Sequence, residues 1–104
     1  MLHQLMNNTK WDELRLAMYQ TDPAPRWSTV CHNRHRSRPD REWYYHFQEG
    51  GYEDIVYVDI FADDLEHRER IRMAIKRIHL PGEETEDGFR IYGYAEHGQT
   101  VNYL

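Results

Sequence analysis

The sequence predicts a single α+β domain, residues 1–104, in which two helices pack on a mostly antiparallel sheet of about five strands in the order α-β-β-β-α-β-β. Three observations carry this prediction. Two segments space their apolar residues three and four apart behind a capping residue, the signature of amphipathic helices. Between them EWYYHFQEGGYEDIVYVDIF, Glu42 to Phe61, holds two alternating aromatic and β-branched runs joined by Gly50-Gly51, the pattern of a β-hairpin. No strand candidate is a continuous hydrophobic run of the kind that parallel sheets bury.

Residues 1–6 read as a disordered segment or an extension, with Met6 as a candidate start. Thr9 and Asp12 then form a capping box for a helix over about Lys10 to Gln20, with Trp11, Leu14, Ala17 and Met18 as its buried stripe. Pro23 and Pro25 end it. Arg26 to Cys31 is a short strand on the strength of Trp27, Thr29 and Val30, and His32 to Arg41 is a basic loop. In the hairpin, a two-residue turn at Gly50-Gly51 sets Tyr45 opposite Val56 and Trp43 opposite Val58. That register sends Trp43, Tyr45, Phe47, Val56, Val58 and Ile60 to the core, and Glu42, Tyr44, His46, Ile55, Tyr57 and Asp59 to the other face. Asp63 caps a second helix over about Asp64 to His79, with Leu65, Ile71, Ala74, Ile75 and Ile78 buried and Glu66 paired with Arg70. Pro81-Gly82 stops it, and Glu83 to Gly88 forms an acidic turn. Phe89 to Glu96 alternates again, with Gly93 and Ala95 small enough to admit a close neighbour, and Thr100 to Leu104 is a closing strand.

Composition narrows the class. With 39% hydrophobic and 13% aromatic residues the chain is globular, and aromatic rings must fill much of its core. No run reaches the length of a membrane span and the start lacks a signal peptide, so the cytoplasm is the expected location. Cys31 stands alone, which excludes an internal disulfide and a thiolate cluster. The net charge of -5 disfavours general nucleic-acid binding. Charge is nevertheless segregated: residues 26–41 hold five arginines against Asp40, and residues 42–64 hold seven acids without one Lys or Arg.

NNTKWDELRLAM, EWYYHFQEGGYEDI, IHLPGEETEDGFRIYGY and the Tyr-Leu end resemble a family of small bacterial proteins known only as a domain of unknown function. The resemblance implies a bacterial source and a small single domain, and it transfers no catalytic residue. In size and acidity the chain is also similar to immunity proteins that neutralise bacterial toxins, a functional class with many unrelated folds.

Function candidates follow from side-chain chemistry. Tyr44, His46, Tyr57 and Asp59 on the hairpin, with Arg90, Tyr92 and Tyr94 from the later strand, form a tyrosine-rich face suited to protein recognition. The same tyrosines serve as ordinary strand packing if a helix or a homodimer covers them. Stacking of RNA bases is disfavoured by Glu42, Asp59 and Glu96. Arg34, Arg36, Arg38 and Arg41 could grip an acidic partner or remain a solvated loop, and Glu83, Glu84, Glu86 and Asp87 could mimic nucleic acid toward a basic toxin. His46 with Asp59 could act as a base and its orienting carboxylate, the alternative in which the chain is a small enzyme. His32 and His35 lack further ligands, so no metal and no cofactor is expected. The leading expectation is a non-enzymatic binding domain with a protein partner or a second copy, toxin neutralisation being its most concrete form.

Overall fold

The computed structural model describes residues 1–104 and orders them as β1 (Leu2–Gln4), α1 (Asn8–Gln20), β2 (Arg26–Cys31), β3 (Ile55–Phe61), α2 (Leu65–Lys76), β4 (Gly82–Glu84), β5 (Gly88–Tyr92) and β6 (Tyr94–Glu96). All strand pairs are antiparallel: β2-β3-β5-β4 form one sheet and β1-β6 a second. The α+β class, the two helices and their place in the strand order are those expected from the sequence. Each helix begins where a polar side chain can satisfy free amides. Asn7 accepts from the Lys10 amide and Asp64 from the His67 amide, two residues before the cap expected at Thr9 and one after that expected at Asp63.

Both helices bury their stripes on the same side of the large sheet. Trp11, Leu14 and Met18 of α1 and Ile71 and Ile75 of α2 share one core with Val58 and Ile60 of β3 and Phe89 and Ile91 of β5. The helices run antiparallel, because Lys10 Nζ donates to the Ile78 carbonyl at one end while His67, at the start of α2, reaches the Pro23 carbonyl at the other. Leu65, expected in the core, is 83% exposed, and His67 takes the buried position instead. The four-residue spacing His67, Ile71, Ile75 defines the true inward stripe. The expected Glu66–Arg70 pair does not form; Arg68 and Arg72 reach across to Glu84 on β4.

The principal departure is the first arm of the expected hairpin. Residues 44–50 are consecutive turns and bends, and β3 pairs with β2, in the register Trp27 to Ile60 and Thr29 to Val58. The cause is Glu42, whose carboxylate accepts from the amides of Tyr44, Tyr45 and His46 and coils the chain out of an extended path. Trp43 and Phe47, four apart, then both point inward, at 1% and 2% exposure. Tyr45, assigned to the core by alternation, is 69% exposed. Gly50 and Gly51 do hold positive φ, +82° and +83°, yet as part of this turn series and not of a hairpin. The indole N–H groups of Trp27 and Trp43 donate to the Glu42 and Pro25 carbonyls.

Residues 1–6 are also ordered, against expectation. Leu2, His3 and Gln4 pair with Glu96, Ala95 and Tyr94, and Met6 is buried in the main core. At Gly93, between β5 and β6, an added Cβ would collide with the Ile55 carbonyl and press on Trp11 of α1, the close approach its small size permits. Residues 36–40 lie along the outer side of β2, where Ser37 N–H donates to the Thr29 carbonyl and Asp40 and Trp27 exchange both backbone bonds. On the outer side of β4 the Gly82 amide donates to Asn102 and the Leu104 amide to Leu80, so Thr100 to Leu104 contributes a single bridge, Pro81 with Tyr103, and not a full strand.

Candidate functional site

With both helices on one side, the other side of the large sheet carries no helix. Register places its side chains in cross-strand rows: Val30, Tyr57 and Tyr92; Ser28, Asp59, Arg90 and Glu83; Arg26 and Phe61. Alternation along β3 and β5 puts these opposite Val58, Ile60, Phe89 and Ile91, so the core dictates which residues face outward.

Asp59 organises the surface. Arg90 of β5 donates to both of its oxygens, through Nε to Oδ1 at 2.7 Å and Nη2 to Oδ2 at 3.1 Å. Arg36, from the segment flanking β2, donates to Oδ2 at 3.1 Å and to the Tyr57 hydroxyl at 3.2 Å. Tyr57 therefore lies between two cations, with the Arg90 and Arg36 guanidinium carbons 4.1 and 5.8 Å from its ring centre. Tyr92 packs edge-on against Tyr57 at 6.1 Å and donates its hydroxyl to Glu83 at 2.7 Å. Burial, and next the Glu83 carboxylate, raise the Tyr92 phenol, while the Asp59 bonds push the Arg90 guanidinium above its ordinary range. Beside Arg90 is a shallow depression of about 140 Å³ reached by Glu86 and Asp87.

Four of the seven expected face residues thus meet: Tyr57, Asp59, Arg90 and Tyr92. Arg36 and Glu83, expected in charged loops, join them. Tyr44, His46 and Tyr94 do not. His46 Nδ1 lies 2.8 Å from Asp40, which raises its imidazole, and Tyr94 donates to the Glu53 carbonyl. The His46–Asp59 dyad is consequently not formed, since both Asp59 oxygens are taken by arginines and His46 has Asp40. Glu42 is engaged by backbone amides, which hold its carboxyl below the usual range.

The remaining charged residues divide. Arg41 pairs with Asp63, and Arg68 and Arg72 both hold Glu84, while Arg34 and Arg38 point to solvent without an ion pair. The acidic turn thus presents Glu83, Glu86 and Asp87, with Glu84 neutralised on the helix side. No group of three or more His, Cys, Asp or Glu side chains is arranged to hold a metal, and no helix is long and apolar enough to cross a membrane. Cys31 is half-buried, and burial followed by Asp54 raises its thiol.

Alternation could not reveal a second exposed cluster. Tyr19 of α1, Tyr44 and Tyr45 meet in series, tilted and then edge-on, with ring centres 5.3 and 4.8 Å apart, and Arg15 lies 5.0 Å over Tyr44 and donates to its carbonyl. The one sequence signal was Tyr19, an aromatic on the polar side of α1. The sequence profile described as Family of unknown function (DUF6678) matches residues 1–98. No curated protein and no solved structure matches the chain.

Proposed function

We propose that this chain, which belongs to the DUF6678 family of unknown function, is a non-enzymatic protein-binding domain that docks a folded partner on the helix-free side of its sheet. The observation that carries the reading is the Tyr92–Tyr57–Arg90–Asp59–Arg36 lattice. It holds two half-exposed tyrosines and two arginines in fixed positions. Tyrosine and arginine dominate binding hot spots, and rigid side chains lose little conformational freedom on docking. A surface with a depression of only about 140 Å³ beside Arg90, and with its carboxylate already engaged by arginines, suits recognition better than acid-base chemistry.

The partner this reading favours carries a basic surface. The net charge is -5, and Glu83, Glu86 and Asp87 lie at the β4–β5 end of the site, where they would steer a cationic approach. Neutralisation of a bacterial toxin in the cytoplasm is the specific form we infer, by occlusion of a basic active site. The test is affinity capture from the source lysate with the native chain, the Tyr57→Ala/Tyr92→Ala variant and the Glu86→Lys/Asp87→Lys variant. A partner retained by the native chain and depleted at least roughly tenfold by both variants is expected. Equal capture by all three would remove the sheet from consideration. The toxin form requires in addition that co-expression of this chain relieve growth inhibition by the captured partner.

A further inference from the structure

On the opposite side of the molecule, α1 and α2 enclose an open groove of about 840 Å³. Its apolar centre is formed by Leu16 and Met73, which are 41% and 54% exposed and lie side by side in the groove. Glu13 and Asp22 stand along the α1 wall, and Arg70 and Arg77 along the α2 wall. Arg70 and Arg77 form no ion pair within the chain, whereas Arg68 and Arg72 of the same helix both do. Asp22 is likewise unpaired, and Glu13 has only a 4.0 Å approach to Lys10.

We propose that the groove is a homodimer interface in which a second copy packs face to face about a two-fold axis running along the groove. The charge pattern selects this axis. A two-fold across the groove would set α1 on α1, acid on acid. The axis along the groove sets α1 of one copy over α2 of the other. Because the helices are antiparallel, Glu13 shares one end of the groove with Arg77, and Asp22 shares the other with Arg70. The rotation preserves that order, so Glu13 faces the partner's Arg77, Asp22 faces the partner's Arg70, and Leu16 meets the partner's Met73, each contact occurring twice. An apolar centre inside a charged rim is the usual anatomy of such an interface. The sheet sides of the two copies then point away from each other and stay free.

Sedimentation velocity on the full chain, from micromolar to hundred-micromolar concentration, reads the proposal. A concentration-dependent dimer is expected, weakened roughly tenfold or more by Leu16→Glu and by Met73→Glu, two exposed positions where circular dichroism should report an unchanged fold. Glu13→Arg and Arg77→Glu should each weaken it. The double variant should recover dimerisation, because the exchanged charges meet across the axis. A monomer at the highest concentration overturns the proposal. So does a dimer insensitive to both glutamate variants, or one abolished by Tyr57→Ala/Tyr92→Ala.

Discussion

Three guanidinium nitrogens converge on Asp59, whose side chain is only 11% exposed. Replacing it by Asn keeps the shape and removes the charge, which leaves two arginines gathered without a counter-ion. Asp59→Asn should cost about 2 kcal/mol in urea unfolding, the scale of a charged hydrogen bond. Arg36→Ala should cost less than about 1 kcal/mol, because that side chain is nearly half exposed and solvent screens it. At this scale the candidate site was partly legible. Tyr57 and Asp59 were assigned together because β3 is a true strand, and alternation within a strand fixes which residues share a face. Tyr44 and His46 were assigned with them only through a pairing that does not exist.

At the scale of elements, β2 and both helices were legible to within a few residues, because propensity, caps and stripe agree there. Residues 42–51 were not. Trp43 and Phe47 satisfy a two-residue and a four-residue repeat equally well, and only the Glu42 carboxylate, capturing three successive amides, decides between them. The junction before α2 was missed for a related reason: it depends on a polar residue in the core. His67, 1% exposed, accepts the Asp63 amide proton on Nδ1, which leaves Nε2–H to donate to the Pro23 carbonyl at 2.7 Å. This assignment excludes an Nδ1–H ion pair with the Asp63 carboxylate 3.6 Å away. His67→Leu would strand a buried donor and a buried acceptor and should cost about 2–4 kcal/mol by chemical denaturation. A change of less than about 0.5 kcal/mol would show that the α1–β2 connection does not rely on this link.

For the molecule as a whole, the ionised network sets a pH profile. Arg41 holds Asp63 below the usual carboxylate range, and Arg72 with Arg68 does the same for Glu84. Carboxyls lowered in the folded state contribute stability above their unfolded values, near pH 4, and lose it as pH falls through the folded ones. His46 has the opposite sign: raised by Asp40, it contributes below its ordinary value of about 6.5 and loses that contribution as pH rises through its folded value. The urea midpoint should therefore show a broad maximum between roughly pH 4.5 and 6.5. An Asp40→Asn variant should flatten its alkaline side. The backbone pairing at the two outer sides of the large sheet has a consequence of another kind. An exposed strand margin is a template for endless addition of like strands, the route by which sheet-rich chains polymerise into fibrils. Here residues 36–40 pair along β2 and residues 102–104 pair with Leu80 to Gly82 at the start of β4, so irregular backbone of the same chain takes up the positions where an added strand would begin to pair.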